Sequence, residues 1–285
     1  MNAEYLEIKN KLDRHLECLL LQHCDADNPL YQVMNHGITT PGKKIRGVMT
    51  VVFCRRLSVP DALSFPFAEA LELIHAYSLV HDDMPEMDND QYRRGLPTCH
   101  AKYGADMALL AGDGILNLSV EHLLKSRRLF KPSCFLDAMD VLYHAAGANG
   151  MLCGQALDKE GESRVLSMDE LLSVHRKKTG MLLMAPILIA QALAEKESKN
   201  YVNYSRKIGL AFQIKDDILD LEGNLETLGK EVGSDSKINK STFISLLGTE
   251  EAKEYLKREI NSAKESAEKD DFLLWLAEYI EKREK

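Results

Sequence analysis

Two carboxylate-rich stretches carry the residues best suited to chemistry. The first is His81-Asp82-Asp83-Met84-Pro85-Glu86-Met87-Asp88, and the second is Gln213-Ile214-Lys215-Asp216-Asp217-Ile218-Leu219-Asp220. Each follows an apolar run, residues 71–80 and 208–212, so the acids end buried helical faces and do not simply cover a solvated one. Asp216 and Asp220 are four apart and share a helical face. Asp82 and Asp88 are six apart and would point ~240° apart on a straight helix. They converge only if the helix ends or distorts between them, and Pro85 supplies the break by removing a hydrogen bond and crowding the preceding turn.

Carboxylates that share a cavity repel, each close pair by on the order of 1 kcal/mol in water and several at an effective dielectric near 20. Such a cavity needs cations. All-oxygen ligands without His or Cys suit Mg²⁺ or Mn²⁺, and Mg²⁺ held by one or two carboxylates usually grips a substrate phosphate as well. Basic residues stand ready for phosphate at Lys43, Lys44 and Arg46, at Arg93 and Arg94, at Lys177 and Lys178 before Thr179-Gly180, and at Lys230 and Lys240. In a net acidic chain this pattern points to a divided site, one part for a metal-diphosphate and one for a metal-free anion. Arginine suits both through bidentate contacts.

The elements that must position these groups read as helices. Apolar residues recur at helical spacing over 6–22, 43–57, 64–83 (with Ser64 and Pro66 at its start), 107–130, 132–146, 181–194, 201–221, 249–269 and 271–284. Ser167 and Glu170 form a capping box for another. No strand alternation, linker or internal repeat interrupts them. The expected fold is all-α, a single large helical bundle with a central cavity over residues 1–285. Gly147, Gly150 and Gly154 read as sites of close helix packing or of a kink. The tail Lys282-Arg283-Glu284-Lys285 reads as a solvated, fraying end, with a lid role as the alternative.

Composition excludes other classes. The chain has 285 residues, 45% hydrophobic and 28% charged, which fits a globular protein with a substantial core and excludes disorder. Its net charge of -8 argues against nucleic acid as a partner. No apolar stretch reads as a membrane span, and the charged N-terminus shows no targeting segment. The six scattered cysteines read as free thiols in a reducing cytoplasm.

At these residues the chain resembles the trans-isoprenyl diphosphate synthase family. Ile74 through Asp88, followed by Arg93-Arg94-Gly95-Leu96-Pro97-Thr98-Cys99-His100, is similar to that family's first aspartate-rich region, in the spacing of its bacterial farnesyl diphosphate synthases. Leu110-Ala111-Gly112-Asp113, Gly154-Gln155-Ala156-Leu157-Asp158, Lys178-Thr179-Gly180, Phe212 through Asp220, Leu228-Gly229-Lys230 and Lys240-Ser241-Thr242-Phe243 follow in register. The resemblance implies an all-helical homodimer that joins an allylic diphosphate to isopentenyl diphosphate, head to tail. It implies Asp82, Asp88 and Asp216 as the main Mg²⁺ ligands, supported by Asp83, Asp217 and Asp220, with three ions when diphosphate is bound and Mn²⁺ as a substitute. Arg93, Lys178 and Lys230 would hold the allylic diphosphate, and Lys43, Arg46, His75 and Arg94 the isopentenyl diphosphate. Thr179 and Gln213 would face the developing carbocation. The leaving diphosphate would take the final proton, so no histidine base is required. Where the family reads G-G-K-R-x-R-P, this chain has Pro41-Gly42-Lys43-Lys44-Ile45-Arg46-Gly47, which keeps the cations but alters the loop.

Ser78 lies one turn below Asp82 on the same helical face, with Tyr77 beside it. By the resemblance, an aromatic there is a tunnel floor that stops the product at fifteen carbons; by itself Tyr77 would be packed core. The alternatives are a geranyl or geranylgeranyl diphosphate synthase, a terpene cyclase, and a non-catalytic synthase subunit. A cyclase would not need Lys43, Arg46 and Arg94, and a non-catalytic subunit would lack one of the two aspartate motifs.

Overall fold

The computed structural model describes residues 2–228 and 241–284. Those residues are helical apart from connections and one two-stranded hairpin, so the all-α expectation holds. They form two compact units: Met1–Met139 with Ile189–Lys196, and Asp140–Leu188 with Glu197–Lys285.

The first unit contains α1 (Ala3–Leu19), α2 (Tyr31–Thr39), α3 (Ile45–Arg56) and α4 (Asp61–Asp82). Strands β1 (Tyr92–Arg93) and β2 (Leu96–Pro97), then α5 (Cys99–Tyr103) and α6 (Ala105–Ser126), complete it, together with the start of α7 (Pro132–Ala146). Helix α1 is amphipathic and buries Tyr5, Ile8, Leu12, Leu16 and Leu19 on one face. Helix α4 is apolar nearly all round and is the buried centre of this unit, packed on α3 and α6. It begins after Pro60, three residues before the expected Ser64, and Pro66 lies inside it. Ser64 instead donates its hydroxyl to the Asp61 carbonyl, so it serves the first turn from within and does not start the helix. By length and composition Ala105–Leu129 would pass for a membrane span; here its helix packs along α4.

A buried carboxylate ties three of these helices. Glu69 in α4 lies 2.6 Å from His15 Nδ1 in α1 and 2.7 Å from His122 Nε2 in α6. It sits beside a cavity of about 660 Å³ lined by Lys11, His15, Leu19, Phe65 and His122 among others.

The second unit contains the rest of α7, then α8 (Met151–Gly161), α9 (Met168–His175), α10 (Met181–Ala194) up to Leu188, α11 (Lys199–Leu228), α12 (Phe243–Leu247), α13 (Thr249–Ser266) and α14 (Asp271–Lys282). The Ser167–Glu170 capping box forms with both of its bonds. A single π-helical turn, Arg176–Gly180, fuses α9 to α10. Helix α8, unforeseen in the periodicity, approaches that turn so closely that a Cβ at Gly154 would meet Lys178 N at 2.0 Å. Gly154 is therefore the close-packing glycine that was expected. The six cysteines are free.

The tail differs from expectation. Arg283 is only 8% exposed, because its guanidinium donates to the Phe212 carbonyl at 2.8 Å and lies over the Phe212 ring. A charged side chain is buried here because a carboxylate of α11 meets it.

Candidate active site

The first aspartate cluster folds as its spacing requires. Helix α4 ends at Asp82, and Pro85 lies three residues further on. The chain then doubles back: Met87 N–H donates to the Met84 carbonyl at 2.9 Å and Asp88 N–H to the Asp82 carbonyl at 2.9 Å. Asn89 takes a left-handed φ of 51°, which asparagine tolerates better than most residues. Asp82 and Asp88 thus share one turn, with Asp88 exposed and Asp82 partly so.

Asp83 points the other way. It is 4% exposed and accepts from Arg93 Nε at 2.7 and 2.9 Å. Burial raises its pKa, and the Arg93 guanidinium opposes that rise. Arg93 is placed by the β1–β2 hairpin, whose two turn residues, Arg94 and Gly95, have φ of 53° and 80°. Two positive φ values in a two-residue loop are the signature of a type I′ turn.

The same hairpin aims Arg94 at the loop before α3. Arg94 Nη1 donates to the Pro41 carbonyl at 2.7 Å, and a Cβ on Gly42 would meet that nitrogen at 2.5 Å. A larger residue there would push the tip of the Arg94 side chain aside. Lys44 starts α3 with a left-handed φ of 49°, and the preceding Lys43 carbonyl accepts from Tyr5 OH at 2.7 Å. The first turn of α3 then brings Arg46 Nη1 to 3.3 Å from His75 Nε2. Burial, followed by Arg46, Arg94, Lys44 and Arg93, drives the His75 pKa well below its ordinary value. Burial, with Arg93 adding to it, also lowers the pKa of Arg94. Cations held this close repel one another, and a polyanion relieves that repulsion.

The second cluster lies on α11. Asp220 is exposed and Asp216 partly so, while Asp217 is 8% exposed. Arg283 Nη2 reaches Asp216 Oδ1 at 2.5 Å. Asp217 Oδ2 accepts the Phe243 N–H at 2.9 Å, and its Oδ1 lies 3.5 Å from Gln213 Nε2. Burial pushes the Asp217 pKa up to about 6; those two hydrogen bonds oppose the rise, and Asp216 and Asp220 add to it. Thr179, in the π-helical turn, donates its hydroxyl to Gln213 Oε1 at 2.8 Å. A π-turn interrupts the ordinary ladder and often marks a functional position. Lys178, beside it, pairs with Asp158 at 2.6 Å.

The sequence-predicted residues thus gather into groups. Lys44, Arg46, His75, Arg93 and Arg94 come together in the first unit, as do Asp82 and Asp88, and Lys43 directly precedes Lys44 in the chain. Thr179, Gln213 and Asp217 come together in the second. Lys230 and Lys240 lie outside the described residues. Tyr77 is buried, its ring edge-on to His81, and burial followed by Asp82 raises its pKa to about 12. Ser78 donates to the His75 carbonyl at 2.9 Å. The positional roles of Tyr5, Asp158 and the hairpin escaped sequence reasoning. Only Asp158 had left a signal there, as the acid closing the Gly154–Asp158 stretch.

A divalent cation fits these donors by chemistry. Both clusters offer hard carboxylate oxygens, the set preferred by Mg²⁺. No three His, Cys, Asp or Glu side chains among the described residues are grouped tightly enough to hold a metal unaided.

The described residues are helical but for one hairpin, and they carry an aspartate-rich turn after α4, an aspartate-rich stretch of α11 and a cluster of cations around His75. The polyprenyl synthetase family model matches residues 27–276, and the chain belongs to that family. It is 37% identical to the farnesyl diphosphate synthase of Micrococcus luteus, over 100% of this chain and 98% of that one. It is 40% identical to the farnesyl diphosphate synthase of Geobacillus stearothermophilus, over 92% and 88%. A geranylgeranyl diphosphate synthase from Cyanophora paradoxa is 36% identical over 83% and 80%. Among solved structures, a geranyltransferase from Legionella pneumophila superposes with a TM-score of 0.87 at 28% identity, over 97% of this chain and 95% of that one.

Proposed function

We propose that this chain is a (2E,6E)-farnesyl diphosphate synthase, a prenyltransferase that joins isopentenyl diphosphate to dimethylallyl and then geranyl diphosphate and releases pyrophosphate. The observation that carries this reading is the cation cradle around His75, in the same unit as the Asp82–Asp88 turn. An enzyme that only ionised one allylic diphosphate would have no use for a second cluster of cations. The full-length similarity to farnesyl diphosphate synthases supports the same reaction.

Asp82, Asp88 and Asp216, with Asp220, would hold Mg²⁺, three ions with diphosphate bound, and Mn²⁺ could substitute; Asp83 and Asp217 would support them through position, since Arg93 and Phe243 already occupy their oxygens. The metal supplies electrostatic stabilisation of charge on the leaving diphosphate. Lys178, Arg93 and Lys230 would bind the allylic diphosphate, and Lys43, Arg46, His75 and Arg94 the isopentenyl diphosphate. A neutral His75 donates one N–H without adding to the repulsion between its cationic neighbours. Thr179 and Gln213 would turn oxygen dipoles toward the allylic cation in a site that must exclude water. Tyr77 would close the product channel, with Ser78 beside it. A geranylgeranyl product is the second reading, favoured by the relative with that activity.

The two units would act as one synthase domain over residues 1–285. A soluble, cytoplasmic homodimer suits the chain: α6 exposes Leu109, Leu110 and Leu124, side chains that gain by burial against a second copy. Radiolabelled isopentenyl diphosphate incubated with dimethylallyl or geranyl diphosphate and Mg²⁺, followed by product sizing, tests the reaction. A fifteen-carbon product supports it, a twenty-carbon product supports the second reading, and absence of released pyrophosphate rejects both.

A further inference from the structure

We propose that Asp217 is a positioning residue that fixes which end of the Thr179 hydroxyl dipole faces the reacting allylic group. The inference rests on the synthase reading above and deepens it. A carboxylate can accept hydrogen bonds but has no hydrogen to give. One oxygen of Asp217 is committed to the Phe243 N–H at 2.9 Å, and the other faces the Gln213 side-chain amide at 3.5 Å. Gln213 must therefore present its NH₂ to Asp217, which turns Oε1 toward Thr179. Thr179 responds by donating to that oxygen at 2.8 Å. Its only hydrogen is spent, so the Oγ1 lone pairs remain for whatever lies beyond. An allylic group that develops positive charge is stabilised by lone pairs and destabilised by the hydrogen end of an O–H dipole.

The chain of contacts is held at both ends. His175 stacks on the Phe243 ring with centroids 5.5 Å apart, and its Nε2 lies 3.9 Å from Asp217 Oδ2. Thr179 is 9% exposed and Asp217 8%, so little water competes for these hydrogen bonds. The amide of Gln213 could satisfy Thr179 in either orientation, and Asp217 is the group that chooses between them.

Asp217→Asn is a direct test because it keeps size and the Phe243 contact. The asparagine oxygen accepts the Phe243 N–H, which leaves its NH₂ facing Gln213. Gln213 then turns its oxygen toward Asn and its NH₂ toward Thr179, and the threonine hydrogen points outward. The expected result is a fall in kcat on the order of tenfold to a hundredfold, the scale of one polar group aimed at transition-state charge. Both KM values stay within about twofold, because ground-state binding is untouched. Thr179→Val falls similarly, and the double variant is no slower than Thr179→Val alone, because Asp217 acts through that hydroxyl. Mn²⁺ bound in the presence of inorganic pyrophosphate, counted by electron paramagnetic resonance, is the same for wild type and Asp217→Asn. Losses that multiply in the double variant, or a lost Mn²⁺ ion in Asp217→Asn, overturn the proposal and leave the synthase reading intact. A wild-type protein without synthase activity overturns both.

Discussion

The Asp88 backbone N–H donates to the Asp82 carbonyl at 2.9 Å, so the two outer aspartates of the first cluster sit on a single closed turn. Six residues of separation would have placed them on different faces of a helix. The proline between them ends the helix, and the chain folds back to bring the second carboxylate beside the first.

Because that turn is closed by backbone, its side chains can be changed without opening it. Asp88→Asn is expected to shift unfolding free energy by no more than about 0.5 kcal/mol, as for an exposed substitution. The same change is expected to cut kcat on the order of a hundredfold or more, through lost charge at the diphosphate. Denaturant titration beside steady-state kinetics checks both halves.

The Glu69 tie predicts loss of stability in acid. Burial raises the Glu69 pKa, but the hydrogen bonds from His122 and His15, with their charges, outweigh it and leave the pKa below the ordinary 4.5. The unfolded state therefore binds more protons than the folded one, and stability rises with pH across that interval. The contribution is fully present above about 4.5 and is lost as pH falls through the lower folded value. Glu69→Gln should cost about 1–3 kcal/mol at pH 7 and progressively less on acidification. Urea unfolding from pH 7 down to 3 would expose a difference that stays constant, which the tie does not allow.

Gly154 allows α8 to approach the π-helical turn. A Cβ there would meet the backbone of Lys178, which cannot rotate away as a side chain could. Gly154→Ala should lower stability by about 1–3 kcal/mol. It should also raise KM for the allylic diphosphate more than KM for isopentenyl diphosphate, because Lys178 moves with the turn. Equal changes in the two KM values would show that Lys178 does not serve one substrate alone.

Tyr77 tests product length. Tyr77→Ala removes a buried aromatic at a cost of about 3–5 kcal/mol, so the assay belongs well below the unfolding temperature. Products longer than fifteen carbons are expected by chromatography. An unchanged product would leave Tyr77 as packed core.

Removing Arg283 should change metal binding. Its guanidinium contacts Asp216 from the end of α14. A divalent ion at Asp216 would have to compete with that cation. Arg283→Ala is expected to tighten Mn²⁺ binding measured without substrate, by severalfold, since a nearby positive charge opposes a second one. Weaker binding would mean that Arg283 orients the carboxylate for the metal.

The sequence by itself determined the class and the chemistry. Helical apolar spacing, the Ser167–Glu170 box and the helix over 132–146 are local signals; the box and that helix appear in the structure at their expected places. The break at Pro85 is also local, which is why the Asp82–Asp88 turn could be deduced without coordinates. Helices α2, α5, α8 and α12 and the true start of α4 were missed; α12 opens on its own Thr242–Ser245 capping box, but the others have no side-chain cap to announce them. Only the tertiary structure decided how side chains far apart in the chain are used. It turned Asp83 inward to Arg93, paired Lys178 with Asp158, set four cations around His75, fastened Asp217 to Phe243 and drew Arg283 out of solvent onto Asp216. A carboxylate or guanidinium has the same formula whether it will bind a metal, a phosphate or a neighbour, and desolvation with the nearest opposite charge selects among them.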